Sequence, residues 1–302
     1  MFDQRSRRGM SLFLQLGFQG IALGMVYGLI ALGFVIMFKG SHTFNFAHGE
    51  IVALGAYAVL ALMAFMPWGL AFVMAAVIVV VLGVLIEAVF LRRMVGKSVT
   101  TVVLATLGIS IMLHQAILMI WGVGTHGSAG PVGSGTVNVG SVVLPWSGIV
   151  TIGTSVVVLA GLAYFFQKTP YGLALRATAS HQEAALAQGI DVRRMFALSW
   201  GLAAFLAVVA GVFLASFPRV VSPSLGIVAL LAIPAIVIGG MDSLVGAIVG
   251  GLVVGLIQVM GSYYLSDIGG GRLHEVLPYI VMFAVLVVRP YGLFGSKSVE
   301  RV

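Results

Sequence analysis

The chain is 302 residues long, 60% apolar and only 8% charged, with a formal net charge of +7 and no cysteine. Soluble domains carry about 25% charged residues, so this composition excludes a soluble globular protein. The absence of cysteine excludes structural disulfides, thiolate metal sites and cysteine nucleophiles.

A bilayer core about 30 Å thick needs roughly 20 apolar residues per helical span. Stretches of that kind lie near residues 12–38, 44–66, 68–91, 99–121, 146–166, 197–217, 226–263 and 275–288. Gly, Ala and Leu are mixed through them, as in helices. They predict an all-α, polytopic membrane protein of about eight membrane segments, with residues 1–302 forming one transmembrane domain. The start, "MFDQRSRRGMSLFLQLGFQGIALGMVYGLIALGFVIMF", joins basic residues to an apolar run longer than a signal h-region. It has no A-x-A site before polar sequence, so a retained first span is expected.

Basic residues gather in the connection Arg92, Arg93 and Lys97, in the stretch Lys168–Arg194, and in the tail Arg289, Lys297 and Arg301. Residues 122–145, "GVGTHGSAGPVGSGTVNVGSVVLP", contain no Lys or Arg. By the positive-inside rule the basic connections and the C-terminus are cytoplasmic in a plasma (inner) membrane, and the Gly/Ser loop faces outward. Its Gly and Pro content predicts irregular structure or a short hairpin. Because the positive charge sits at span ends, it does not form a nucleic-acid face.

A parity problem follows. Arg5, Arg7 and Arg8 favour a cytoplasmic N-terminus, yet three full crossings from there would put Arg92 and Arg93 outside. The stretch 44–66 is therefore expected not to cross completely. Its start, "FNFAHGEI", brings Asn45, His48, Gly49 and Glu50 to or inside the membrane boundary. Non-helical backbone at that depth is tolerated only against protein or a water-filled cavity. The stretch 226–263 is too long for one span and is interrupted by "IGGMDSLVG". One interrupted or re-entrant stretch in each half fits the broken helices of repeat-built transporters, although the two stretches are barely alike residue by residue. Small residues at four-residue spacing, Gly20, Gly24 and Gly28, Ala207 and Gly211, Gly246 and Gly250, Gly251 and Gly255, predict close helix packing within the chain.

Gly96-Lys97-Ser98 matches the end of a phosphate-binding loop, but the glycine required five positions earlier is Leu91. No nucleotide site is visible, and ATP energy would have to come from another subunit. His48, Glu50 and His114 lack the His-Glu-x-x-His spacing of a metalloenzyme, so no metal and no catalytic residue are expected. Burying a charge at mid-membrane costs about 2.5–3.5 kcal/mol. Glu50 therefore either sits at an interface or pairs with Lys39, or Asn45, His48 and Glu50 line the pathway or fix the broken helix through hydrogen bonds. His114 and Gln115 either hydrogen-bond between helices, the preferred reading, or touch a substrate. Glu87, five residues before Arg92, reads as an interfacial charge.

"RATASHQEAALAQGIDVRRMFALSW", Arg176–Trp200, carries Arg176, Glu183, Asp191, Arg193 and Arg194 in an otherwise apolar chain. Its composition predicts a short helix from Ser180 to Ala187, a stop at Gly189, and a second helix entering the membrane. Glu183, Ala184, Ala185 and Gly189 match the EAA---G spacing of ABC-importer permeases, without the later isoleucine and Leu-Pro of the fuller pattern.

The whole chain resembles the branched-chain amino-acid permease family of ABC transporters, specifically its smaller membrane subunit. The resemblance rests on "GMVYGLIALGFVIMFKGSHTFNFAHGEIVALGAY", "ATLGISIML", "GLALRATASHQEAALAQGIDVRRMFALSWGLAAFLAVVAGVF", "VIGGMDSLVGAIVGGLVVGLIQ" and "VLPYIVMFAVLVVRPYGLFG" in that order. It implies a transport subunit that binds no cofactor and works with a second permease, two ATP-hydrolysing ATPases and a periplasmic or extracellular substrate-binding protein. A cytoplasmic loop, 168–196, would couple it to the ATPases through Arg176, Glu183, Ala184, Ala185 and Gly189. Asn45, His48, Gly49, Glu50, Thr106 (within "ATLGISIML") and His114 would lie near the translocation path. Substrates would be branched-chain or other hydrophobic amino acids, with amides, urea or aromatic acids carried by relatives. The main rival is an ion-coupled secondary transporter or channel for a small polar solute. It would need acids within spans, and most acids here lie at span ends.

Overall fold

The computed structural model describes residues 2–41, 44–94, 96–140, 142–216, 219–267 and 272–295. The helices in chain order are α1 (Phe2–Ser41), α2 (His48–Leu62), α3 (Trp68–Ile86), α4 (Val99–Trp121), α5 (Trp146–Lys168), α6 (Pro170–Ser180), α7 (Gln182–Ala187), α8 (Val192–Leu214), α9 (Leu225–Leu230), α10 (Ile233–Gly239), α11 (Leu244–Tyr264) and α12 (Leu273–Val288). A small antiparallel hairpin, β1 (Thr136–Val139) with β2 (Val142–Pro145), precedes α5. Six helices are long and apolar enough to span a membrane, and His48–Leu62, Leu225–Gly239 and Leu273–Val288 are shorter apolar helices. The all-α polytopic reading holds.

Four helices begin where the sequence supplies a capping side chain. Ser98 accepts from the Thr101 N–H, Thr169 from Gly172, Asp191 from Arg194 and Ser243 from Gly246. Each such cap is worth about 1 kcal/mol. Gly96-Lys97-Ser98 is thus a turn and a helix cap rather than a phosphate loop.

The chain has a basic end and a loop end. At the basic end, the Gln182 amide of α7 donates to the Gly40 carbonyl of α1, and Arg92, Lys97 and Gln182 border one cavity. At the loop end, the Trp68 indole donates to Ala129 O, and Gly127 and Ala129 exchange backbone bonds with Val221 and Ala215. The segment 122–145 is therefore fastened over the ends of α3 and α8, partly as the expected hairpin.

These anchors correct the expected position of the N-terminus. Phe18 occupies the space beside Gly148 at the start of α5, and Gly17 lies beside Met260 near the end of α11. The first helix therefore starts at the loop end and reaches the basic end at Gly40, opposite to what Arg5, Arg7 and Arg8 suggested. The stretch 44–66 does connect the two ends, because an irregular lead-in brings α2 part of the way and α2 finishes beside the loop end at Leu60 and Gly127. Only its second part is helical. The parity problem came from the assumed N-terminal side, not from a failed crossing.

The stretch 226–263 resolves into a broken helix, α9–α10, running from loop end to basic end, and a return span, α11. The interruption at Ile238–Gly246 is present as the turn between Gly239 and Leu244. A second break, between Leu230 and Ile233, has its cause in Pro234, which lacks the N–H that a continuous helix would donate to Leu230.

The segments α1–α4 and the segments α8, α9–α10, α11 and α12 follow one another in the same order but run in opposite directions. The second member of each set is short or broken, and these two members, α2 and α9, pack on each other. The first of each set packs against the third of the other, α1 on α11 and α8 on α3. This is the arrangement of an inverted-topology repeat, carried by backbone layout where residue similarity is weak.

The glycine stripes pack within the chain, as expected. A Cβ on Gly20 would stand 3.0 Å from Leu256 Cα, and one on Gly24 would stand 2.7 Å from Leu252 Cα. Gly251 and Gly255 face the backbone of Gly28 and Gly24 in return. Helices in lipid gain nothing from the hydrophobic effect on meeting, so such backbone approach supplies the van der Waals contact that holds them. Gly211 seats Val52 of α2 in the same way, and Gly246 and Gly250 close the α10–α11 hairpin.

Candidate translocation and coupling site

The break before α2 is built from "FNFAHGE". Asn45 Oδ1 accepts from the Ala47 N–H at 3.0 Å, and the Asn45 carbonyl accepts from the His48 N–H at 3.3 Å. This local turn satisfies backbone donors that water cannot reach. The Phe46 N–H donates to Thr106 Oγ1 at 3.3 Å, and Thr106 passes its own proton to Val103 O at 2.9 Å. The hydroxyl thereby ties the entry of α2 to α4. Phe44 stacks on Phe34 with centroids 4.8 Å apart, and Phe46 tilts against Phe44 at 5.1 Å. Tyr57 does not join them; it packs on Trp121 towards the loop end.

His48 is fully buried, edge-on to Phe34 at 4.6 Å and pressed against Gly33, where a Cβ would fall 2.5 Å from Nε2. Neither ring nitrogen has a hydrogen-bond partner among the described residues. The ring packs at the α1–α2 contact.

Glu50, 6% exposed, points the other way and meets His114 of α4, Oε2 to Nδ1 at 3.2 Å. Its partner is thus His114 and not Lys39, and His114 makes the preferred interhelical contact, whereas Gln115 is exposed. The Glu50 carboxylate also rests on Gly226 of α9, and a Cβ on Gly49 would approach the Gly226 carbonyl to 2.6 Å. One carboxylate therefore touches the two broken segments and α4 together. Gly226 carries no motif in the sequence; its one signal is a lone small residue opening an apolar run.

Glu87 lies at the basic end of α3 and is buried within the protein. It accepts from Arg92 twice, at 2.7 and 3.2 Å, across a widened π-turn, Glu87–Leu91, that ends α3. A wide turn inside a helix commonly marks a functional site. Here it turns the carboxylate into a cavity of about 220 Å³ at the basic end, bordered by Asn45, Thr106, Lys97, Gln182, Ser199 and Trp200.

The hairpin that carries Glu183 to Gly189 follows its sequence closely. The helix α7 ends at Gly189 in the left-handed region, φ +80°. The Ile190 N–H donates to Ala185 O and the Gly189 N–H to Leu186 O, the paired bonds of a Schellman stop. Ala185 is buried against Ile190, Val192 and Phe196 at the foot of α8. Glu183, Ala184 and Leu186 are exposed. Arg176 lies apart from them on α6, exposed and bordering a separate groove with Phe166 and Leu244.

The structure thus gathers Asn45, His48, Gly49, Glu50, Thr106 and His114 around the α2 break, and sets Glu183 to Gly189 on a hairpin below it. Among the described residues no group of His, Asp and Glu is arranged to hold a metal ion.

Residues 17–286 match the family described as the permease component of branched-chain amino acid transport systems. The chain is 32% identical to the high-affinity branched-chain amino acid transport system permease LivH of Escherichia coli strain K12, over 96% of this chain and 98% of that one. It is 29% identical to BraD of Pseudomonas aeruginosa over the same shares. It is also 29% identical to a probable LivH of Methanocaldococcus jannaschii, over 91% and 90%. Among solved structures, PsaBC from Streptococcus pneumoniae in complex with Fab is similar at a TM-score of 0.46 and 15% identity, covering 91% of this chain and 94% of that one. The near full-length match to transport subunits agrees with a chain that is a membrane carrier and not an enzyme, and it belongs to the permease family of branched-chain amino acid transport systems.

Proposed function

We propose that this chain is one membrane subunit of an ATP-driven importer for branched-chain or other hydrophobic amino acids. The observation that carries the reading is the joining of a full-length family match to an exposed α7 whose only buried side chain, among the described residues, is Ala185 at the foot of α8. Such a helix is shaped to be gripped from outside and to pass force into a membrane span. The named relatives are permease proteins of branched-chain amino acid transport, two of them from high-affinity systems, which supports partners of three kinds: a second permease, two ATPases and a substrate-binding protein. ATP binds to the ATPases, and this chain holds no cofactor. The basic end and C-terminus then face the cytoplasm, and the loop end meets the binding protein.

Closure of the ATPases would push the coupling hairpins, and rigid helix groups would rock about the broken segments α2 and α9–α10. A zwitterion with an apolar side chain needs helix-end dipoles for its charges and an apolar wall for the rest. The α2 break, with Phe34, Phe44 and Phe46 beside it, has both features. The buried Glu50–His114 pair is the one observation that favours ion coupling instead, and uptake measurements separate the two.

Glu183→Lys is expected to reduce ATP-dependent uptake about tenfold or more, because reversing a charge in a docked interface costs about 2–5 kcal/mol. The inserted amount, measured by quantitative immunoblot of membranes, should stay unchanged. Gly189→Trp should do the same by spoiling the left-handed stop. Undiminished uptake in both variants would refute coupling through this hairpin.

A further inference from the structure

The cavity at the basic end shares Asn45 and Thr106 with the α2 break, but its other walls, from the end of α3, the start of α4, α7 and α8, have no role in the mechanism above. Its wall holds Asn45, Glu87, Thr106 and Ser199, each at most 3% exposed, in a chain whose spans otherwise bury chiefly apolar groups. Intramembrane polar groups are costly and tend to mark ligand or ion sites. Several retain unused capacity. Asn45 Nδ2 donates to the thioether of Met37, a weak acceptor. Ser199 gives its proton to Phe196 O and keeps its lone pairs.

The charge and size of the cavity narrow the ligand. Arg92 is held by Glu87 through two hydrogen bonds, and Lys97 adds a second positive charge to the lining, so the site favours a ligand bearing a carboxylate at Lys97. Val102, Phe196 and Trp200 supply an apolar wall. At about 220 Å³ the space lies below the roughly 300–1,000 Å³ of pockets for drug-sized ligands. That size suits a single small amino acid better than a nucleotide or peptide.

The location gives such a ligand leverage. The walls come from the π-turn ending α3, the start of α4, Gln182 at the start of α7, and α8. A ligand there would bind the coupling hairpin to the membrane body that it must move against. We propose that this cavity is an inhibitory site for the transported amino acid arriving from the basic end, so that accumulated product stalls its own import. The proposal rests on the importer reading for the identity of the ligand. Reciprocity follows: whatever conformation the ligand favours must bind it more tightly.

The test uses the assembled importer in proteoliposomes, with ATP and increasing unlabelled leucine enclosed, and labelled leucine with the binding protein outside. Each protein is compared with its own initial rate at zero enclosed leucine. Enclosed millimolar leucine is expected to lower wild-type uptake and ATP hydrolysis several-fold. Lys97→Gln should raise the half-inhibitory concentration about tenfold or more, the usual worth of a hydrogen bond to a charged group. Val102→Trp, which fills the cavity, should abolish the response. A second arm measures equilibrium binding of labelled leucine to the purified full chain in nanodiscs, expected for the wild type and lost in Val102→Trp. Wild-type uptake that ignores enclosed leucine, or variants inhibited like the wild type, overturns the proposal and leaves the importer reading standing. A wild type with no ATP-driven leucine uptake sinks the importer reading instead. In that event, absence of binding in nanodiscs overturns the cavity assignment, and binding lost in Val102→Trp upholds it.

Discussion

Gly24→Leu is expected to leave almost no monodisperse protein after extraction in detergent. A Cβ at Gly24 already falls 2.7 Å from Leu252 Cα and 2.9 Å from Gly251 O, so the obstacle is backbone and cannot rotate away. Overpacking a core usually costs about 1–3 kcal/mol because side chains can adjust. Here α1 and α11 must separate, and Gly20, Gly251 and Gly255 lose their contacts with them. Gly255→Leu should fail in the same way, since its Cβ would run into Gly24 from the other side. Gly108→Leu in α4 and Gly153→Leu in α5 serve as controls, because nothing lies within 4 Å of a Cβ at either position. Size-exclusion profiles and thermal midpoints of the purified chain read the difference. Equal loss in all four variants would show that glycine content, not the α1–α11 contact, governs stability.

The second large effect concerns the pair that joins the broken segments. His114→Ala should destabilise the chain more than Glu50→Ala does. The Glu50 side chain is 8% exposed and that of His114 is 29% exposed. Removing the histidine strands a buried carboxylate, which costs about 3–5 kcal/mol when a buried pair is broken. Removing the carboxylate leaves an imidazole that retains some access to solvent, at about 1–3 kcal/mol. The double variant should cost less than the two single changes added together, which is the mark of direct coupling. Thermal unfolding of the four proteins supplies the cycle, and additive effects would refute the contact. In transport, Glu50→Ala should lower uptake more than it lowers insertion, because it frees α2 from α9. His48→Ala opens a void against Gly33 and Phe34 and should act mainly on stability.

Sequence reading located nearly every helix, for physical reasons that can be named. Spans of about 20 apolar residues are local signals that lipid enforces, whereas the caps at Ser98, Thr169, Asp191 and Ser243 emerged only from the structure. The Gly189 stop was legible because left-handed backbone selects glycine. The interrupted stretches were legible as runs of the wrong length or polarity.

Other features were not local. The partner of Glu50 is 64 positions away, and no property of "FNFAHGE" distinguishes His114 from Lys39. Glu87 reads as an interfacial charge beside Arg92, and the π-turn that buries its carboxylate within the protein leaves no residue pattern. Pro234 is a readable sign of the second break, but the expected interruption was placed only at "IGGMDSLVG". The N-terminal side was misjudged because three arginines were weighted above the packing of α1 on α11, which only three dimensions reveal. The inverted arrangement of the two halves is likewise a matter of direction and order, which tolerate nearly complete divergence of side chains.

The central claim is that this chain moves amino acids only when partner ATPases drive it through α7. Initial rates of leucine uptake should be measured in proteoliposomes holding the chain with its second permease and binding protein. ATPases and ATP are then present or absent, and a proton or sodium gradient is applied or withheld. The account predicts uptake only with ATPases and ATP, unaffected by collapsing the gradients and lost in Glu183→Lys. Leucine uptake driven by an ion gradient in vesicles without ATPases would contradict it.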